Sequence, residues 1–253
     1  MKIISSEIHC WWCPLDEHPD SLLQNRCLAV LSLDEVKEYR SFHFQKDRDI
    51  YLISHGFLRS VLSLYLSCSP SAIQFTRDSF GKPHLRSGDL QFNLSHCKGS
   101  ALLGISSASQ AIGVDTEHCK EIEDIPAIVS HYFSAPEIKQ LLKAPQLEMQ
   151  QQFYQLWTLK EAYIKAIGKG LSIPLNEFAF DIWKKPLGFS VLNGETNADE
   201  WSYWQLQFRD TELNAIGVYH PRQEKVRKLC VYRTQPFSYI TALDLNACVS
   251  NTF

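Results

Sequence analysis

The sequence predicts an α/β (α+β) chain in two halves, and three observations carry that expectation. Residues 50–66 and 150–167 repeat apolar side chains at the spacing of a helix with one buried face. The segments around them alternate in short runs of the kind that form strands. Between them Ser106 to Ala111, SSASQA, is small and polar and reads as a linker, which divides the chain into 1–107 and 108–253. A length of 253 residues leaves room for a sizeable core in one large or two small domains. Hydrophobic content of 45% with 21% charged residues fits an ordinary globular protein. A net charge of −3 argues against general nucleic-acid affinity, yet leaves room for a local basic pocket that takes a polyphosphate. No apolar run is long enough to span a bilayer. The opening MKIISSEIHC lacks the apolar stretch and cleavage site of a signal peptide, so the expected location is the cytoplasm.

Taken in order, the chain starts with Cys10 and Cys13, its one C-x-x-C among 8 scattered cysteines, flanked by His9 and His18. A strand with small buried thiols is the preferred reading over a zinc or redox site, because no second cysteine pair follows at metal-site spacing. Ser32 to Arg40 reads as a short helix, and Ser41 to Asp49 as a polar, basic stretch anchored by Phe42 and Phe44. Ile50 to Leu66 is a core helix that Cys68 to Ser71 ends. Ile73 to Thr76 is a short strand, and Arg77 to Gly81 a turn. Lys82-Pro83 follows: a lysine beside a rigid neighbour suits a phosphate or a nucleotide edge, and otherwise reads as an ordinary turn lysine. Gln91 to Leu94 and Ala101 to Ile105 read as a strand pair around Ser95-His96-Cys97-Lys98-Gly99. Ile125 to Phe133 and Pro136 to Lys143 read as helices, with Ser134 and Glu137 spaced as a capping box, and Ala144 to Met149 as a polar break. After Gly170, strands are expected at 178–183, 202–208, 215–219 and 229–233, and Val249 to Phe253 as a frayed tail.

Two charged motifs stand out. Ile112 to Glu117, IGVDTE, has strand character, so Gly113, Asp115 and Glu117 share one face. Two carboxylates on one strand face repel unless a cation lies between them, and oxygen-only ligands suit Mg²⁺. Alone, this pattern is more simply a solvated strand face. Trp157 to Gly170, WTLKEAYIKAIGKG, is a helix that the glycines end. At about 100° per residue, Phe153, Leu156, Trp157, Leu159, Tyr163, Ile164 and Ile167 form a broad apolar arc. Glu161 and Lys165 sit together just outside it, while Lys160 falls in its middle, where a charge needs a partner. Alone, these are a surface pair and a lysine that lays its stem across the core. Joined to Asp115 and Glu117, Glu161 completes a three-carboxylate metal site with Lys160 and Lys165 beside it for phosphate.

The two motifs, Gly113-Val114-Asp115-Thr116-Glu117 and Trp157 to Lys165, together with Gly81-Lys82-Pro83 and Phe92-Asn93-Leu94-Ser95-His96 upstream, resemble the 4′-phosphopantetheinyl transferases of the longer, surfactin-type (Sfp-type) class. The resemblance covers roughly Asp34 to Trp183, and its one departure is Thr116, where the family has Ile or Val. It implies two similar halves related by a pseudo-twofold axis, with the active site in the cleft between them. It implies transfer of 4′-phosphopantetheine from coenzyme A to a serine of an apo acyl or peptidyl carrier protein, with Mg²⁺, or Mn²⁺ in its place, as cofactor. It implies a monomer, while the net charge and the lack of a long apolar run set the expectation of no nucleic-acid or membrane partner. Residue by residue, it makes Asp115, Glu117 and Glu161 the metal ligands. Glu161 is also the candidate base, directly or by way of a water on the metal, and Lys165 the group that protonates the leaving oxygen. His96 goes to the coenzyme A phosphates with Ser95 near it, Lys160 and Lys165 add positive charge, and Asn93 holds the loop. Arg48, and less directly Lys46, contacts a coenzyme A phosphate from just before the first core helix, and Lys82 and Pro83 line the adenine and 3′-phosphate end. Competing readings are another Mg²⁺-dependent phosphoryl or nucleotidyl transferase, which leaves GKP and FNLSH unexplained, a non-catalytic carrier-binding protein on the same fold, and a zinc module at Cys10 and Cys13.

Overall fold

The structure is a computed structural model, and it describes residues 1–192, 198–221, 226, 228–244 and 249–252 of the chain. The chain runs through one series of elements twice. The first pass is β1 (Glu7–Pro14), α1 (Ser21–Leu28), α2 (Leu33–Ser41), α3 (Gln45–Leu66), the hairpin β2 (Phe75–Arg77) and β3 (Pro83–Leu85), then β4 (Leu90–Cys97) and β5 (Ser100–Ser107). The second is β6 (Ala111–His118), α4 (Ile125–Tyr132), α5 (Ala135–Leu141), α6 (Gln146–Ile167), the hairpin β7 (Phe178–Asp181) and β8 (Gly188–Val191), then β9 (Trp201–Leu206) and β10 (Glu212–Tyr219). Strand order repeats as well: β1-β5-β4 in one sheet, β6-β10-β9 in the other, all antiparallel. The mixed α/β architecture in two similar halves, expected from the sequence, is what the molecule has.

Three further strands close the sheets. β11 (Lys228–Arg233) lies parallel to β1, β12 (Thr241–Leu243) pairs with β11, and β13 (Val249–Thr252) pairs with β9. The first sheet therefore draws two strands from the end of the chain, so residues 1–107 alone do not build it. Val249–Thr252, expected as a frayed tail, is instead an edge strand; Phe253 lies outside the described residues.

Strand alternation sorts the core into three layers of side chains. Trp11, Cys13, Leu103 and Ile105 face α3 and pack with Phe57, Val61 and Leu62. Ile8, Cys10, Trp12 and Leu102 face the other way, onto Ile112, Val114, Ile216 and Val218 of the second sheet. Leu213 and Ala215 face α6, packing with Phe153, Leu156, Leu159 and Ile164. The order is helix, sheet, sheet, helix, with both sheets buried on both faces. Cys10 and Cys13 are buried in β1, as the strand reading requires.

The repeat extends to single side chains. On α3, fully buried Arg59 pairs with Glu35 of α2 at 2.6 Å, donates to the carbonyls of Pro70 and Ile73, and lies over the Phe75 ring. On α6, fully buried Lys160 pairs with Glu137 of α5 at 2.8 Å, donates to the carbonyls of Leu175 and Phe178, and lies over the Phe178 ring. Both glutamates also accept the backbone N–H of the serine three residues before them, Ser32 and Ser134. Each short helix is thus capped and tied to its long helix by one carboxylate.

Element boundaries differ from expectation in three places. α3 starts at Gln45, so Arg48 stands in its first turn rather than before it. α6 starts at Gln146, within the expected break at 144–149, after Pro145. The expected linker is the end of β5, a tight turn and the start of β6.

Candidate active site

The site forms where the edge strand of each sheet meets α6. β4 and β6 are stitched together by the Asn93 side-chain oxygen, which accepts the Val114 N–H at 2.8 Å. That bond places Ser95, on the same face of β4, against Asp115. On β6, Gly113, Asp115 and Glu117 face α6 as the alternation predicts. Gly113 is required: a Cβ there would overlap the Ala162 carbonyl oxygen and the Ala166 nitrogen of α6. Close contact at Gly113 brings the next turn of α6 over the two carboxylates.

At the centre is Asp115, 3% exposed. Its Oδ1 accepts from Lys165 Nζ at 2.6 Å and from the Ser95 hydroxyl at 3.1 Å, and Lys165 Nζ also donates to Ser95 Oγ at 3.1 Å. Its Oδ2 is buried and accepts from no donor among the described residues. Burial, then the Asp115 charge, pushes Glu117 up to about 7, and Lys165 and the Trp157 indole offset this only in part. Glu161 is likewise raised by burial and by Asp115, against the pull of Lys165. Burial alone would lower Lys165, but Asp115, Glu161 and Glu117 outweigh it and hold the ammonium above its ordinary value. The three carboxyl groups thus share one environment short of positive charge, and one buried oxygen has no donor. An oxygen-only donor set with these features fits a hard divalent cation. The carboxylates are neighbours rather than a closed shell: among the described residues no group of three or more His, Cys, Asp or Glu is gathered into a metal cluster.

His96 follows Ser95 on β4 and is exposed at the mouth of the site. Crowding by its surroundings, then the Lys165 charge, pushes its imidazole below the ordinary value. Arg48 stands half-buried on α3, its Nε buried without a partner among the described residues. A buried guanidinium donor of this kind suits an anion. Lys46 is exposed, with its ammonium over the Phe44 ring.

Two expectations are corrected. Lys160 is not a phosphate group: it is 0% exposed, and Glu137 and two carbonyls consume its hydrogens. The cost of a lone charge in the apolar arc is met by a buried carboxylate. The sequence signal for that partner was the capping box at Ser134, whose glutamate has oxygens to spare for Lys160 and for the Phe180 N–H. Lys82 also has no hydrogen left for a phosphate, since its Nζ donates to the carbonyls of Ile112, Lys165 and Ala166; Pro83 opens β3 and is half-buried. Sequence reasoning passed over His55, which stacks on Tyr51 at 3.8 Å, with its ring nitrogen 3.0 Å from the Tyr51 carbonyl, and whose charge would act on His96. Its helical spacing from Arg48 and Tyr51 was the available signal.

The 4′-phosphopantetheinyl transferase superfamily matches residues 111–218, and the N-terminal region of 4′-phosphopantetheinyl transferases matches residues 12–108. The 4′-phosphopantetheinyl transferase HetI of Nostoc sp. is 36% identical over 224 residues, covering 86% of this chain and 90% of that protein. The 4′-phosphopantetheinyl transferase Sfp of Bacillus subtilis is 34% identical over 155 residues, covering 61% of this chain and 67% of its own. With its carboxylates, lysine and serine converging where two similar halves meet, the chain belongs to the 4′-phosphopantetheinyl transferases, and it is an enzyme of the long, Sfp-like type.

Proposed function

We propose that this enzyme moves 4′-phosphopantetheine from coenzyme A to a serine hydroxyl of an apo acyl or peptidyl carrier protein, with Mg²⁺ or Mn²⁺, releasing adenosine 3′,5′-bisphosphate. The observation that carries the reading is Asp115: one oxygen held by Lys165 and Ser95, the other buried and free, beside two carboxyl groups of raised pKa. Asp115, Glu117 and Glu161 would hold the cation. Bound there, it would supply fixed positive charge that aligns the diphosphate and offsets charge developing on it.

The chain's own groups do the rest. The serine oxygen attacks the phosphorus that bears pantetheine, and the bond to the bridging oxygen breaks. Glu161 takes the serine proton as the oxygen attacks, directly or by way of a water. Lys165 keeps its charge, meets the departing oxygen and can give it a proton. Arg48, whose buried Nε has no partner among the described residues, and the exposed His96 would donate to the phosphates. With the closing strands returned to the first sheet, 1–107 and 108–253 would each present groups to one substrate. We take the enzyme to act as a cytoplasmic monomer without a nucleic-acid or membrane partner; no described helix is long and apolar enough to cross a membrane.

The test is the intact mass of an apo carrier protein after incubation with the enzyme, coenzyme A and Mg²⁺, beside an EDTA control. A gain of one phosphopantetheine group that EDTA abolishes is expected. No gain on acyl or peptidyl carriers, together with no coenzyme A binding by calorimetry, overturns the proposal.

A further inference from the structure

Lys82 projects from the β2–β3 turn of the first half into the second. Its turn is braced: Asp78 Oδ1 accepts the Lys82 N–H at 3.0 Å, the Asp78 N–H donates to the Lys82 carbonyl at 3.1 Å, and Asp78 Oδ2 meets the His84 ring at 3.1 Å. From that base the ammonium reaches three backbone oxygens: Lys165 at 2.7 Å, Ala166 at 2.9 Å and Ile112 at 3.3 Å. An ammonium has three hydrogens, and three acceptors exhaust them.

The acceptors explain the arrangement. A helix leaves its last carbonyls unpaired, and a cation there also meets the negative end of the helix dipole. α6 ends at Gly168, in the left-handed conformation with φ 83°, and the Gly168 N–H takes the Ile164 carbonyl. The carbonyls of Lys165 and Ala166, next in line, go to Lys82. A Cβ at position 168 would stand 2.9 Å from Lys82 Cδ, so the glycine keeps room for the lysine stem as well as turning the chain. The third acceptor, Ile112, precedes Gly113, where α6 touches β6 most closely. Lys165 is therefore held at both ends, its carbonyl by Lys82 and its ammonium by Asp115 and Ser95.

We infer that Lys82 is a positioning residue that latches the first half onto the C-terminal carbonyls of α6 and so holds Lys165 against Asp115. It is not a contact to the 3′-phosphate of coenzyme A. The inference rests on the transfer reaction proposed above. Lys82→Met keeps the stem and removes the donors; Lys82→Arg keeps the charge but not the convergence on three carbonyls. With coenzyme A and with dephospho-coenzyme A as donors, Lys82→Met should lose roughly 10- to 100-fold in kcat on both, the scale of a small misplacement of a catalytic group. The ratio of the two KM values should stay at the wild-type value, and Lys82→Arg should not rescue. Gly168→Ala crowds the stem while leaving Lys82 in place and should reproduce the kcat loss. A rise in KM confined to coenzyme A, or rescue by Lys82→Arg, overturns the inference. Amide hydrogen exchange in the last turn of α6 reads the latch without turnover: faster exchange in Lys82→Met is expected, and unchanged exchange overturns it. A wild-type enzyme that transfers nothing sinks the proposed reaction instead.

Discussion

Asp115 shows how much a single side chain can carry. Strand alternation alone aims it, with Glu117, at one face. The tertiary contact then gives one oxygen to a lysine–serine clamp and leaves the other buried with no donor among the described residues. Glu161→Ala, which leaves that clamp in place, should lower turnover of the carrier assay by about 100-fold or more if Glu161 is the base, with the melting temperature close to wild type. Near-normal turnover would remove Glu161 from the chemistry. His55 carries a separate expectation. Its burial, only partly opposed by Glu35 and the Tyr51 carbonyl, pushes the imidazole from 6.5 to about 4. The unfolded chain then binds a proton first as the solution is acidified. His55's contribution to stability is full above pH 6.5 and is lost as pH falls toward 4. Urea midpoints across that range should slope downward, and His55→Gln should flatten the slope; parallel slopes in both proteins would contradict this.

Two elements, β6 and α6, hold the site, and each depends on one residue that the motif names but does not explain. Gly113 is the point of closest approach. Gly113→Ala must push α6 away from β6, with a loss of about 1–3 kcal/mol in stability of the kind seen for overpacking. It should also separate Lys165 from Asp115, so turnover should fall with stability, which paired denaturation and rate measurements would show. Lys160 is the structural anchor of α6. Lys160→Ala strands Glu137 at 1% exposure and should cost about 3–5 kcal/mol in denaturant titrations. Replacing both partners at once, Lys160→Met with Glu137→Leu, should recover only part of that loss: no buried charge is left unpaired, but the N–H groups of Ser134 and Phe180 and the carbonyls of Leu175 and Phe178 lose these partners. Equal loss in single and double variants would mean that these hydrogen bonds, rather than an unpaired charge, set the cost.

In the whole molecule, two pieces of chain with little visible sequence likeness share one order of elements, one strand order and one buried ion pair. They are not independent. The layer between the sheets takes Trp12 and Leu102 from one half and Trp204 and Ile216 from the other, and β11 crosses back to lie beside β1. Unfolding one half would expose the inner face of the other. Equilibrium unfolding should therefore be a single transition with coincident tryptophan-fluorescence and far-UV circular dichroism curves. Two separated transitions would show that the halves are stable alone.

Much of this was legible in the linear chain. Helical spacing placed the apolar arc of α6, alternation put Asp115 and Glu117 on one face, and the capping box at Ser134 was visible. Those are local properties, fixed by φ/ψ geometry within a few residues. The early start of α3, the strand at Val249–Thr252 and the helix α1 were not legible, because long-range packing decided them. The same holds for the cations. Lys82, Lys160 and Lys165 look alike as letters, each a lysine near a motif. Only the tertiary structure distributes them: one to helix-end carbonyls, one to a buried glutamate, one to Asp115. A charge takes its role from whichever partner the fold brings within hydrogen-bond distance, and that partner can lie anywhere in the sequence.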